Sequence, residues 1–462
     1  MPSRQDQLHS YQYSLQRVVA ALVTHDPDPS RSPLRRAGTT ALVSLLIAAI
    51  AVGGAALYGL FTGQSSVGPR NPNVVFQEKG TGARYVYLES DRKLHPVLNY
   101  TSGLLLSAAQ TPALQSISAE KLAEVPLGAP LGIPDAPDSL PASGQLLTGR
   151  WSVCSVNPGT NGSPRSTLLV GDELTDGTVA AKAGRALLVS GPDDRTYLVS
   201  GNRRFTIPPL RSAATLRVLG WNDQQPWPAA AAWINAIPLG PDLVAPALPP
   251  SDGSAQVNGY RVGQLVTDGS QFAVILPDGE AGLTTMQARL MQVSGGQVLN
   301  IGAAFNQVPP SKTHLSDAND PTGLPATVPT LVDTPPSAVC MTLPVDGQGG
   351  DGIRIDPTVP TGVAVVGTPV APGTVLADLV HVARGKGVVV SGAASPSAPA
   401  DSGTVGVVTD TGRLYPLASR SLLEKLGYGD VKPAQVPALL VGLLPRGVAL
   451  DPARARQTDP QG

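Results

Sequence analysis

Charge is scarce in this chain of 462 residues: 15% are Asp, Glu, Lys or Arg, and the net charge is -1. Without a basic excess the chain lacks the field that binds phosphate backbones, and aromatics at 4% are too few for a base-stacking platform. No nucleic-acid partner is expected. Two cysteines cannot make a four-ligand zinc site, and five scattered histidines do not complete one, so no metal is expected either. Three catalytic signatures are also missing: the Gly-x-x-x-x-Gly-Lys-Ser/Thr phosphate loop, a serine with glycines two positions away on both sides, and His-Glu-x-x-His. Arg384-Gly385-Lys386-Gly387 comes nearest to the loop but has no hydroxyl residue after the lysine. His95, His314 and His381 stand alone, and the pairs Asp172-Glu173 and Asp193-Asp194 read as solvated turns beside glycine and proline. No catalytic residue and no cofactor is expected.

What the chain does have is a long uncharged run near its start. No Asp, Glu, Lys, Arg or His occurs from Ala37 to Pro69. A span needs ~20 apolar residues, and Ala41 to Phe61 supplies them, so residues 37–62 are expected to form a transmembrane helix. Arg31, Arg35 and Arg36 flank one end and Arg70 alone the other, which predicts a cytoplasmic N-terminus and an extracytoplasmic bulk. A cleaved signal peptide is the alternative, although its apolar core would be shorter and nearer Met1. Ahead of the run, Leu8, Tyr11, Leu15, Val18, Val19 and Leu22 recur at helical spacing and form one apolar stripe, ended by Pro27, Pro29 and Pro33. A lone helix cannot cover that stripe itself, so it is expected to lie on the membrane surface or against a cytoplasmic partner, and its modest positive charge favours the partner.

Beyond the run the sequence repeats. Gly82 to Asp91 has a counterpart in Gly269 to Asp278, and Val153-Cys154 in Val339-Cys340. Arg185 to Gly191 matches Lys386 to Gly392, and Leu219-Gly220-Trp221 matches Leu426-Gly427-Tyr428. Pro226, Pro238 and Gly240 map in the same way to Pro433, Pro445 and Gly447. Four blocks in one order point to two copies of a unit. Each copy holds two smaller modules, because Lys93 to Val97 resembles Arg413 to Leu417, and strand-turn-strand patterns recur at Tyr197 to Ile207 and Phe272 to Leu283. Cys154 and Cys340 occupy equivalent places in the two halves and are expected to pair in an oxidising compartment, two free thiols being the alternative.

The expected fold is α+β, mainly β: one N-terminal transmembrane helix, then an elongated extracytoplasmic region of four small β-rich modules around a central β domain with pseudo-two-fold symmetry. The expected boundaries are 1–36 for a cytoplasmic helix and linker, 37–62 for the span and 63–80 for a linker. Then come 81–125 for module 1, 126–181 for the first part of the central domain, 182–246 for module 2 and 247–308 for module 3. Residues 309–385 complete the central domain, 386–453 form module 4, and 454–462 are a disordered tail.

Asp6-Gln7-Leu8-His9-Ser10-Tyr11-Gln12-Tyr13, the Arg-flanked span, Gly132-Ile133-Pro134-Asp135-Ala136-Pro137 and the paired Val-Cys segments together resemble the EccB family. These are single-span components of the mycobacterial and actinobacterial ESX (type VII) secretion machinery. The resemblance covers nearly the whole chain. It implies a scaffolding subunit of the inner membrane, with a periplasmic bulk whose four repeats surround a central domain held by a Cys154–Cys340 disulfide. It also implies self-association through the periplasmic region and assembly with EccC, EccD, EccE and the mycosin protease. The family's repeats look like phage lysin wall-binding modules, which makes a membrane-anchored binder of peptidoglycan the alternative. Family members are sometimes labelled ATPases, a label for which this sequence has no phosphate loop.

Overall fold

The computed structural model describes residues 3–25, 33–62, 68–157, 162–174, 176–180, 184–251, 255–315, 320, 323–343, 345, 352–366, 371–394, 398–399 and 402–458. The architecture is mixed, mainly β. Helix α1 runs Arg4–Thr24, opened by a capping box in which Ser3 and Asp6 each accept from the other's backbone N–H, at 3.3 and 3.0 Å. Helix α2 runs Pro33–Thr62. Proline's fixed φ and missing N–H suit the first helical position, so Pro33 opens α2 and Arg35 and Arg36 fall inside it, not in the linker expected through residue 36.

Four sheets, three of four strands and one of five, share one four-strand topology. In module 1 the strands are Val74–Glu78, Arg84–Leu88, Lys93–Pro96 and Ala113–Ile117; in module 2, Arg185–Ser190, Thr196–Ser200, Arg203–Ile207 and Trp227–Pro228. Module 3 has Leu265–Thr267, Phe272–Leu276, Gly279–Leu283 and Val298–Asn300, and module 4 has Val388–Ala393, Val405–Val408, Leu414–Pro416 and Ala434–Pro437. Each orders its strands third, second, first, fourth, with the fourth parallel to the first. A parallel neighbour requires a crossover, supplied by the helices Tyr100–Leu106, Ser212–Leu219, Thr285–Gln292 and Leu422–Lys425. In modules 2 and 4 that helix ends on a left-handed glycine, Gly220 at φ 77° and Gly427 at φ 85°, in the matched Leu-Gly-aromatic triplets.

A second local device recurs after each fourth strand. The third strand is clamped on its outer side by a returning segment: Leu94 N–H donates to Pro126 O, Arg204 to Pro238 O, Glu280 to Pro309 O and Leu414 to Pro445 O, all at 2.8–3.0 Å. Gly128, Gly240 and Ser311 return a bond to the same strand, as does Gly447. Glycine is needed where the strap lies on a ring. A Cβ at Gly447 would sit 2.5 Å from Tyr415 Cε1 and one at Gly240 2.5 Å from Phe205 Cε1, while at Gly128 it would collide with His95. Gly447→Ala is therefore expected to destabilise the protein by about 1–3 kcal/mol, read as a lower urea midpoint with an unchanged slope.

The modules pack in nested pairs. Leu104, Leu105 and Leu106 of module 1 share a core with Leu422, Leu423, Leu426 and Tyr428 of module 4. Leu219 and Trp221 of module 2 likewise meet Met286 and Leu290 of module 3. Between them lies a seven-stranded sheet in the order 363–364, 379–381, 165–169, 151–156, 338–343, 352–355, 178–179. Its outer strands are exchanged: 178–179 pairs with 352–355, and 379–381 lies parallel to 165–169. The largest apolar cluster joins this sheet, through Trp151, Val153, Val339 and Met341, to Trp233 of module 2 and Val436 and Leu440 of module 4.

Several expected boundaries move. The 63–80 linker contains the first strand of module 1, whose Val75 and Phe76 are fully buried. That strand pairs in parallel with 113–117, a non-local contact without a hairpin signal to announce it. Residues 126–137 pack on module 1 and not on the central sheet: Ile133 is buried and its N–H donates to Ser102 Oγ at 2.9 Å. Residues 309–311 clamp module 3, and Thr330–Leu331 extends the sheet of module 2. The tail expected from 454 is ordered through 458, with Ala455 fully buried and Leu131 bridged to Thr458, because a short helix, Pro452–Ala455, docks on Tyr100–Leu106. Residues 459–462 lie outside the described residues.

Candidate assembly site

Cys154 lies in the strand Trp151–Val156 and Cys340 in Ala338–Leu343, and the two are direct register partners in antiparallel neighbours. They form a disulfide, fully buried between Leu169 and the partly buried Leu174 and Val359. The bond closes a loop across 186 residues at the middle of the central sheet. Ser152 and Thr342, two positions away in the ladder, hydrogen-bond across the same pair of strands at 2.8 Å. Trp227, edge-on to Trp233 at 6.1 Å, donates its indole N–H to Pro336 O and ties module 2 to the strand that carries Cys340.

At the other end of the chain the stripe on α1 is uncovered. Leu8 is 58% exposed, Tyr11 67%, Leu15 47%, Val18 56% and Leu22 75%. These residues lie on one helix, brought together as one apolar face. On α2, Leu42, Val43, Leu45, Leu46, Ile47, Ile50 and Val52 are also exposed. The side chains described for α2 run only from residue 39 to 55, and among the described residues no helix is long and apolar enough to cross a membrane. Arg31 lies outside the described residues, and the side chains of Arg35 and Arg36 do as well.

Of the titratable residues singled out in the sequence, His95, His381, Asp172 and Asp193 make contacts within the fold. His95 is buried, with Nδ1 2.8 Å from Ala129 O and Nε2 2.9 Å from Asp91 Oδ2, pinning the strap of module 1 to the turn between its second and third strands. His381 Nδ1 lies 2.9 Å from Thr361 O and Nε2 3.4 Å from Asp172. Asp193 caps its own turn and accepts from Tyr197 Oη at 2.7 Å; burial pushes that carboxyl up, but Tyr197 and the backbone of Arg195 together hold it below its ordinary value. Tyr428 donates to Pro141 O at 2.6 Å, and burial raises its phenol well above the usual range. Among the described residues no group of three or more His, Cys, Asp or Glu could hold a metal ion.

The nested pairing of modules was not legible from any motif. The straps carry a local signature in modules 1, 2 and 4, Pro126-Leu127-Gly128, Pro238-Leu239-Gly240 and Pro445-Arg446-Gly447, of which the sequence repeats pair only the last two; module 3 has Pro309-Pro310-Ser311 in that place.

A chain of this organisation, with an N-terminal helix pair and repeated modules around a disulfide-centred sheet, can be compared with known families. The family described as "Type VII secretion system ESX-1, transport TM domain B" (EccB) matches residues 1–460. The chain belongs to the EccB family. The ESX-3 secretion system ATPase EccB3 of Mycolicibacterium smegmatis is 27% identical over 302 residues, covering 62% of this chain. The chain spans 56% of the length of that relative, just over half. The ESX-1 secretion system ATPase EccB1 of Mycobacterium tuberculosis is 27% identical over 333 residues, covering 69% of this chain and 67% of its own. Among solved structures, an intact ESX-5 inner membrane complex contains an EccB-like fold at TM-score 0.65 and 24% identity, covering 99% of this chain and 96% of that one. The EccB3 dimer of an ESX-3 core complex matches at TM-score 0.63 and 24% identity over 83% of this chain and 100% of that one.

Proposed function

We propose that this EccB-family chain is a structural subunit of an ESX inner-membrane secretion complex, anchored by α2 and scaffolding the complex through its periplasmic modules. The family match over residues 1–460 carries the proposal. The likeness to chains of ESX inner-membrane assemblies supports it at the level of fold. In this reading α2 spans the membrane: it is thirty residues long, has no charged side chain after Arg36, and exposes large aliphatic residues that water would not favour. The N-terminus is cytoplasmic, with Arg31, Arg35 and Arg36 on that side. The buried Cys154–Cys340 bond suits the oxidising side of the membrane, and it joins the two antiparallel strands that carry the matched Val-Cys segments.

In the assembly, the stripe Leu8, Tyr11, Leu15, Val18 and Leu22 docks α1 on a cytoplasmic partner among EccC, EccD and EccE, and the periplasmic modules self-associate and meet the mycosin protease. The word ATPase in the relatives' names is not carried over, since this sequence has no Gly-x-x-x-x-Gly-Lys-Ser/Thr loop. Purification of the tagged full chain in mild detergent should recover these subunits with it, and a lone monomer would overturn the reading. Leu15→Asp places a charge in the middle of the stripe. It should cut recovery of the cytoplasmic partner about tenfold while the periplasmic modules remain associated, a loss expected when a charge enters an apolar contact.

A further inference from the structure

A cavity of about 360 Å³ lies where modules 1 and 4 meet, walled by the end of the Tyr100–Leu106 helix, the turn after Leu88, and the ends of the short helices Leu422–Lys425 and Pro452–Ala455. Two cations face it, Lys425 and Arg456. Lys425 donates to Ser107 O at 2.7 Å, which uses one of its three donors. Among the described residues neither cation has a carboxylate within ion-pair distance. Burial first, and the Arg456 guanidinium second, lower Lys425 from its ordinary value, so the two positive charges face each other without compensation. Glu89 stands exposed on the rim.

Carbonyl ends of short helices account for one of Lys425's donors and none of Arg456's. The repeat does not require a cation here. Val218 occupies the place of Lys425 in the matched turn of module 2, whose crossover helix closes on Gly220 in the same way. A planar fork and a compact ammonium converging on one concave, half-buried space are the donor set that recognises a phosphate group. We propose that this cleft binds a phosphate group, with Arg456 and Lys425 as its ligands and space beside it for the group's organic substituent.

The test uses the full chain in detergent, titrated calorimetrically with inorganic phosphate, glycerol 3-phosphate, short-chain phosphatidic acid and acetate at constant ionic strength. Saturable binding of phosphate or glycerol 3-phosphate is expected, weakened about tenfold or more in Arg456→Gln and in Lys425→Met, each a lost charge-assisted contact. Arg456 is exposed, so the first variant keeps the fold if the second does not. Tighter binding of phosphatidic acid than of glycerol 3-phosphate supports the site with a lipid headgroup as its source, and equal binding supports it with a soluble ester. No saturable binding, equal binding of acetate, or unchanged affinity in both variants would overturn the proposal.

Discussion

Replacing Cys154 and Cys340 together by alanine should lower the stability of the central sheet by several kcal/mol, with an upper bound of about 5 kcal/mol from the loop that the bond closes. The bound follows from chain entropy: without the bridge, the denatured chain regains the freedom of a loop spanning 186 residues. The exchanged outer strands 178–179 and 379–381 keep the two halves interleaved, so the native sheet is expected to survive while the denatured state gains freedom. The measurement is urea unfolding followed by tryptophan fluorescence. Trp151, Trp227 and Trp233 lie in the cluster around the central sheet, whereas Trp221 lies in the core shared by modules 2 and 3. The midpoint reported by the first group should fall in the double variant and, equally, in the wild-type chain held reduced. An unchanged midpoint would mean that the bond is absent in solution or that the loop it closes is already restricted in the denatured chain, and the clamp would then have no energetic role.

The local grammar of the fold was readable because it is local. Strand-turn-strand signals at 197–207 and 272–283 coincide with hairpins paired from Thr196 to Ile207 and from Phe272 to Leu283. The triplets Leu219-Gly220-Trp221 and Leu426-Gly427-Tyr428 end crossover helices, since only a residue tolerant of positive φ closes that turn. His95 and Tyr415, aligned by sequence, are both buried rings under a glycine strap. The parts that were not readable depend on distant partners. Val74–Glu78 is a strand only because Ala113–Ile117 lies beside it, and Tyr100–Leu106 is a helix despite Thr101, Ser102 and Gly103. Those small residues admit close packing: a Cβ on Gly103 would press on Val75 Cγ1 at 2.9 Å. Tertiary packing overrides helix propensity there. That Pro126, Pro238, Pro309 and Pro445 clamp the third strands also depends on a distant partner: proline has no N–H, but its carbonyl still accepts from that strand. The pairing of module 1 with module 4 and of module 2 with module 3 has no motif at all. It rests on complementary apolar faces such as those of Leu105, Leu423 and Tyr428.

In the proposed topology, with α2 as the membrane span, placing two arginines in it, as Leu46→Arg with Ile50→Arg, should abolish membrane retention of the whole chain. The two positions are one helical turn apart near the middle of Ala41 to Phe61, so both charges would enter the hydrocarbon at its centre. Each costs about 2.5–3.5 kcal/mol there, together roughly 6 kcal/mol, a shift of about four orders of magnitude in the insertion equilibrium. The apolar run offers no charged partner to offset the change, because nothing from Ala37 to Pro69 is acidic or basic. Carbonate extraction of membranes reads the result directly: the wild-type chain stays in the pellet and the variant moves to the supernatant. The same variant links topology to the disulfide. A chain that fails to cross leaves Cys154 and Cys340 on the reducing side, where they should react with a thiol-specific reagent after denaturation, while the wild-type pair stays protected. Retention of the variant in the pellet with its cysteines bonded would show that something other than α2 carries the chain across, and the anchoring role would pass to another segment.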